Sequence, residues 1–216
     1  FKNQKNCKIK SKPFFQNSKF DKKIIEALSF ELTEAQDRAH IQIKNSLTNS
    51  SPMNCLLQGD VGSGKTIVSI LASSIAVESN FQVAIMAPTE ILARQHLKSF
   101  KKEFDPLQIT CALLTGGMAR KERDKIIDSL NNGKIDLVVG THALIQKDVK
   151  FKNLGLVIID EQHRFGVNQR RKLVEKGNNP HFLAMTATPI PRTLAITLYG
   201  DMDLCIIDEM PKNRKP

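Results

Sequence analysis

The chain has 216 residues, 41% hydrophobic and 25% charged, a balance that suits one sizeable globular domain and excludes a disordered or fibrous chain. Its net charge of +10 points only weakly to nucleic acid, because residues 1–23 hold eight lysines against one aspartate and so carry +7 of it. No apolar run approaches the roughly 20 residues that cross a bilayer, residues 1–12 lack the apolar core of a signal peptide, and four scattered cysteines form no C-x-x-C pair, so a cytoplasmic protein without membrane, disulfide framework or zinc site is expected.

In chain order, residues 1–23, with Pro13 and several asparagines, read as a basic linker or the end of a preceding domain. A solvated Lys/Asn-rich tail is the first reading of this stretch and a DNA-binding arm the second. Apolar residues then recur at helical spacing over 22–28 and at Ala35, Ala39, Ile43 and Leu47. The second of these helices opens at Thr33-Glu34-Ala35-Gln36, which fits a capping box with Thr33 as N-cap and Gln36 at the third helical position. The same residues fit a glutamine that reads an adenine, with Phe30 beside the base, and the two readings are compatible.

From residue 53 short apolar runs alternate with helical segments. Strands are expected at 53–57, 82–87, 110–114, 136–139, 156–159, 181–185 and 204–207, and helices at 66–79, 91–104 and 119–130. Asn131-Asn132-Gly133 closes the last of these helices. The runs are continuously apolar rather than alternating, as parallel strands buried on both faces are. Repeated β-α-β units predict an α/β fold, a P-loop NTPase domain with a central, mainly parallel sheet flanked by helices.

Three segments carry chemistry. Gly59-Asp60-Val61-Gly62-Ser63-Gly64-Lys65-Thr66 satisfies G-x-x-x-x-G-K-[ST], directly after a strand and opening a helix. Glycines let backbone N–H groups turn inward around phosphate oxygens, and the helix N-terminus adds positive dipole. Lys65 would hold the β- and γ-phosphates of ATP, and the Thr66 hydroxyl would ligate Mg²⁺. The apolar run Leu156-Val157-Ile158-Ile159 ends in Asp160-Glu161-Gln162-His163. Asp160 suits a Mg²⁺ ligand, and Glu161 suits a group that orients or deprotonates an attacking water. Thr186-Ala187-Thr188-Pro189-Ile190-Pro191-Arg192 follows the next strand; it fits a hydroxyl N-cap with proline in the first turn, and equally a switch that senses the γ-phosphate. From the P-loop alone, a kinase or metabolic ATPase stays open, as does a docking module without turnover.

The order of these segments resembles the superfamily-two helicases. Gln36, the P-loop, Ala87-Pro88-Thr89-Glu90-Ile91-Leu92-Ala93-Arg94-Gln95-His96, Gly140-Thr141-His142, the Asp160 box and the Thr186 segment follow one another as motifs Q, I, Ia, Ic, II and III do. More narrowly, GDVGSGKT, APTEILARQH, GTHALIQ, DEQHRFGV and MTATPIPRTLA are similar to the RecG family of bacterial branch-migration helicases, from residue 30 to about 216. The Mfd family of transcription-repair coupling translocases shares the GDVG and TATPIPRTL blocks and is the alternative. Mfd usually has Phe after GDVG and a second acid in motif II, where this chain has Ser63 and Gln162. RecG relatives usually show Pro-Gly-Arg after the last strand, and here Asn213 replaces the glycine.

The resemblance implies a RecA-like domain over 24–208, with 209–216 starting a linker to a second motor domain. It implies an ATP- and Mg²⁺-dependent motor that remodels branched DNA, at stalled forks and Holliday junctions, in recombination and repair. Gly59 to Thr66, with Phe30 and Gln36, would bind nucleotide; Lys65, Asp160 and Glu161 would serve catalysis. Thr89, Arg94, Gln95, Thr141 and His142 would contact DNA, and His163, Thr186 and Thr188 would couple the two sites. A His163–Thr186 contact between adjacent strand ends would make that link. The partners implied are a second RecA-like domain with its arginine finger and an N-terminal wedge domain. The expected state is a monomer without membrane contact, in which residues 1–216 alone hydrolyse ATP poorly.

Overall fold

All seven apolar runs become strands of one sheet in the computed structural model, which describes residues 13–15, 17–188 and 202–211. The strands are β1 (Asn54–Gly59), β2 (Gln82–Met86), β3 (Cys111–Leu114), β4 (Leu137–Gly140), β5 (Leu154–Ile159), β6 (His181–Thr186) and β7 (Asp203–Ile207). Every pairing is parallel, in the order β3-β4-β2-β5-β6-β1-β7. Among the described residues six α-helices accompany them: α1 (Phe20–Ala27), α2 (Glu34–Leu47), α3 (Lys65–Glu78), α4 (Glu90–Phe104), α5 (Arg120–Asn131) and α6 (Val167–Val174).

The continuous apolar runs are explained by two cores, one on each face of the sheet. Along β2, Val83 and Ile85 point into one core while Ala84 and Met86 point into the other; β5 divides Leu156 and Ile158 from Val157 and Ile159 in the same way. Helices α1 to α4 cover the first face. Helices α5 and α6, with a short 3₁₀ turn at His142–Ile145, cover the second. Helix α3 is buried from Ile67 to Ala76, so its serines have no water to bond. They return their hydroxyls to the helix backbone instead: Ser73 Oγ donates to Ser69 O at 2.7 Å and Ser74 Oγ to Leu71 O at 2.8 Å.

Helix α1 is fastened to α2 by an ionic cluster. Buried Asp21 accepts from Lys44 Nζ at 2.6 Å and contacts His40 Nε2 at 3.2 Å. Burial would push the Asp21 carboxyl up, but the hydrogen bonds from His40 and Lys44 outweigh it and hold the group well below the usual carboxylate range.

Helix α6 was not expected from sequence. Its residues VNQRRKLV bury only Leu173, so no apolar stripe announces it. Strand β5 also starts at Leu154, two residues before the apolar run at 156–159, because Gly155 lets the strand pass against the Phe81 ring, where a Cβ would lie 2.5 Å from Phe81 Cγ. Cys55 and Cys205 are buried core residues, Cys111 is half-buried, and Cys7 lies outside the described residues.

Candidate active site

Because all strands run the same way, the loops after β1, β2, β4, β5 and β6 open on one edge of the sheet, the carboxyl edge where α/β folds bind ligands. The P-loop leaves β1 at Gly59 and enters α3 at Lys65. The Asp160-Glu161 pair leaves β5, two strands away, with β6 between them delivering Thr186. The segment after β2 starts α4, and the segment after β4 starts the 3₁₀ turn at His142.

The loop at 59–64 has the shape of an anion cradle. Gly62 and Gly64 take φ of 90° and 92°, which swings the intervening N–H groups to one side. Ser63 is buried and its Oγ has no hydrogen-bond partner among the described residues. Lys65 Nζ folds back over the loop and donates to Gly59 O at 2.6 Å and Asp60 O at 2.9 Å. Burial pushes the Lys65 ammonium below its usual value, while Asp160, Glu161 and Asp60 oppose that shift. Val61 is 80% exposed at the tip, and Thr66 is half-buried beside Lys65. An orphan hydroxyl, a cation resting on carbonyl oxygens and two left-handed glycines fit a bound triphosphate.

Gln36 completes the capping box and also reaches the P-loop. Thr33 Oγ1 accepts from Gln36 N at 3.2 Å and Gln36 Oε1 accepts from Thr33 N at 3.0 Å, so the capping box is complete. The same side chain then donates from Nε2 to Ser63 O at 2.7 Å, bolting α2 to the P-loop. A Cβ on Gly64 would collide with that Nε2, so a side chain at position 64 must displace Gln36 as well as adopt a strained left-handed φ. Phe30, 45% exposed, faces a cavity of about 480 Å³ that Gln36, Gly62, Gly64, Lys65 and Thr66 also line. Ser99, Lys102 and Glu103 from α4 close its far wall. No sequence pattern marked these three; only the packing of α4 beside α3 brings them there.

The paired carboxylates differ in setting. Asp160 is 8% exposed: its Oδ1 accepts the Glu161 N–H at 3.0 Å and its Oδ2 lies 2.7 Å from His96 Nε2 on α4. Glu161 takes a left-handed φ of 48°, a costly conformation for a residue with a Cβ, and projects a partly exposed side chain. Its Oε2 lies 3.4 Å from His163 Nδ1. This geometry corrects one expectation: His163 turns back onto Glu161 and does not reach Thr186. The left-handed turn at Glu161 starts a 3₁₀ turn at Gln162–Arg164 that carries the imidazole toward its own motif. Thr186 instead shares a hydroxyl contact of 2.8 Å with Thr188 Oγ1 and accepts the Thr188 N–H at 3.2 Å. Residues 189–192 lie outside the described residues.

Gln162 is buried, and its Oε1 accepts from Arg170 on the unexpected helix α6 at 3.2 Å. Among the described residues no cluster of three or more His, Cys, Asp or Glu side chains could hold a metal ion. One carboxylate with a hydroxyl suits a Mg²⁺ ion that arrives on phosphates and keeps much of its water.

On the β2 and β4 side of the edge the groups are outward. Thr89 N-caps α4 through a 3.3 Å bond from Leu92 N, and Arg94 and Gln95 stand exposed on its first turns. Thr141 is only 8% exposed, but His142 projects outward with its ring 5.5 Å from that of Phe165. Phe165, buried just past the Asp160 box, thus joins the segment after β4 to the segment after β5.

The profile of the DEAD/DEAH box helicase family matches residues 33–196. The chain is 54% identical over 216 residues to the ATP-dependent DNA helicase RecG of Aquifex aeolicus, covering 99% of this chain and 27% of that protein. It is 55% identical over 197 residues to the protein of the same name from Thermotoga maritima, covering 91% and 25%. Among solved structures, RecG bound to a three-way DNA junction superposes with a TM-score of 0.85 at 50% identity, over 96% of this chain and 28% of that one. The Hef helicase domain of Pyrococcus furiosus, at TM-score 0.62 and 23% identity over 81% of this chain and 37% of that one, shares the fold. The chain thus spans about a quarter of the length of these RecG relatives. No helix among the described residues is long and apolar enough to cross a membrane.

Proposed function

Since the chain belongs to the DEAD/DEAH box helicase family, we propose that it is the first RecA-like, ATP-binding domain of a RecG-type motor acting on branched DNA. The observation that carries this reading is one sheet edge bearing both a phosphate cradle at Gly59–Lys65 and a carboxylate pair at Asp160 and Glu161, with outward Arg94, Gln95 and His142 farther along it. The names of the relatives favour RecG over the coupling translocase.

The setting of each residue supports the role the resemblance implies for it. The adenine lies in the cavity beside Phe30 with Gln36 at its rim, and the phosphates take the N–H groups of the loop and the Ser63 hydroxyl. Lys65 leaves its two carbonyl partners for phosphate oxygens, a stronger charge-assisted contact. Thr66 and Asp160 would hold a Mg²⁺ ion, which would supply charge neutralisation to bound phosphates. Glu161, more exposed than Asp160, orients the attacking water and accepts its proton. His163, Thr186 and Thr188 link this site to the DNA face, His163 acting through Glu161 rather than through Thr186. Thr89, Arg94, Gln95, Thr141 and His142 meet the DNA backbone, positioning it without reading its sequence.

Hydrolysis needs a further cation opposite the γ-phosphate, typically worth about 10³–10⁵ in rate. Among the described residues Arg38, Arg123, Arg170 and Arg171 are held by Asp208, Asp148, Gln162 and Glu175. We place that cation on the second RecA-like domain, as the RecG resemblance implies, and a wedge domain splits the branch, in a cytoplasmic repair and recombination enzyme. The test measures ATP turnover by residues 1–216 with no DNA, with linear duplex and with a three-way junction, then repeats it with the second motor domain added. Slow turnover alone and junction-stimulated turnover after addition support the reading. Full stimulation by the chain alone would sink the two-domain requirement, and turnover indifferent to DNA in both cases would sink the motor.

A further inference from the structure

His96 has no role in the reading above, yet its position is hard to explain by packing. It lies on the sheet-facing stripe of α4 with Ala93, Phe100 and Phe104, where an apolar side chain would serve the core as well. Burying a polar ring there is unfavourable unless it is hydrogen-bonded. Its partner is the carboxylate assigned to Mg²⁺: Nε2 donates to Asp160 Oδ2 at 2.7 Å, between side chains that are 10% and 11% exposed. The other oxygen of Asp160 accepts the Glu161 N–H, and Asp160 N donates to Met86 O on β2 at 2.9 Å. The carboxylate is thus gripped from its own turn and from a separate helix, and only the lone pairs left over are available to a ligand.

We propose that His96 is a positioning residue for the metal site: its Nε2–H holds Asp160 in the single orientation that receives the Mg²⁺ ion of the bound nucleotide. A metal-ligating carboxylate is commonly oriented by a hydrogen bond from outside the ligand set, and losing that bond typically weakens metal affinity about 10–100-fold. An apolar residue at position 96 would leave Oδ2 buried and unpaired, free to rotate or to recruit water. This inference rests on the reading of Thr66 and Asp160 as Mg²⁺ ligands.

The experiment titrates Mg²⁺ against binding of a fluorescent, non-hydrolysable ATP analogue by the full chain, with the nucleotide-free unfolding midpoint as a check of the fold. His96→Leu is expected to raise the Mg²⁺ concentration at half-maximal binding about 10–100-fold while leaving Mg²⁺-free nucleotide affinity unchanged. His96→Gln, whose amide can donate from nearly the same point, restores most of the wild-type requirement. Should the leucine variant fail to fold, His96→Asn replaces it, being polar but too short to reach Oδ2, and carries the same expectation. A wild-type Mg²⁺ requirement in a folded Leu or Asn variant overturns the proposal, as does a Gln variant impaired as much as they are. Nucleotide binding by the wild-type chain that ignores Mg²⁺ would instead overturn the metal assignment beneath it.

Discussion

The two halves of the carboxyl edge are built on opposite plans. At the ends of β1 and β5, polar groups are buried or half-buried and tied to one another: Gln36 to Ser63, Lys65 to Gly59 and Asp160 to His96. At the ends of β2 and β4, Arg94, Gln95 and His142 stand in solvent. Phosphoryl chemistry gains most when donors are fixed before the reaction and shielded from water, since they need not reorganise as charge develops. Tracking a nucleic-acid backbone needs long, hydrated cations that can follow a moving phosphate. Substitutions in the first half should therefore cost orders of magnitude in rate, and those in the second should change affinity by small, salt-dependent steps.

The largest effect is expected at Glu161. Glu161→Gln preserves size and hydrogen bonding but removes the proposed base, so hydrolysis should fall about 10²–10⁴-fold while nucleotide affinity, read by equilibrium binding, stays near wild type. Equal loss of affinity in Glu161→Gln and Asp160→Asn would erase the division of roles between the pair.

Lys65→Ala comes next. Removing one fixed donor to developing charge should slow turnover roughly 10²–10³-fold with little change in the thermal unfolding midpoint, because among the described residues the hydrogen bonds of Lys65 go to its own loop. A large drop in stability with turnover intact would mean that the lysine is a structural clamp.

Gly64→Ala asks whether the buried half is as tightly interlocked as its contacts indicate. The left-handed φ and the collision with Gln36 Nε2 should together cost about 1–3 kcal/mol, visible as a lowered denaturation midpoint and as weaker ATP binding. A neutral result would show that Gln36 swings away freely and that the contact from α2 to the P-loop is incidental.

The smallest effect belongs to the exposed half. Arg94→Ala should weaken DNA binding by a similar factor for every sequence and reduce the slope of log affinity against log salt by about 0.7–0.9. An unchanged slope would remove Arg94 from the phosphate contacts and leave the contrast between the two halves without its outer member.

Much of the fold and the first half of the site could be read before any coordinates. The inner strands, buried on two faces, are apolar along most of their length, and short apolar runs announced all seven strands. The P-loop is local: its glycines, Lys65 and Thr66 are consecutive, and their geometry depends on a strand before and a helix after. The pair at Asp160 and Glu161 closes a visible apolar run in the same way. Helix α6 escaped because its one buried residue, Leu173, makes no periodic pattern.

The contacts between elements were another matter. His96 looks like any polar residue in a helical motif until α4 is laid against β5 and its ring meets Asp160. The side chains that wall the cavity, Ser99, Lys102 and Glu103, lie in the lysine-rich second half of a helix whose sequence marks no site there. His163 was expected to reach across to Thr186, and a single left-handed residue, Glu161, sent it elsewhere. By itself the sequence determined the parallel α/β architecture, the P-loop and the carboxylate pair, because burial on two faces and phosphate cradling each demand particular residues at short, fixed spacing. The tertiary structure alone decided which side chains grip those residues, because hydrogen bonds between elements depend on strand order and helix docking, and residues 36 and 63, or 96 and 160, carry no shared period that reveals them as neighbours.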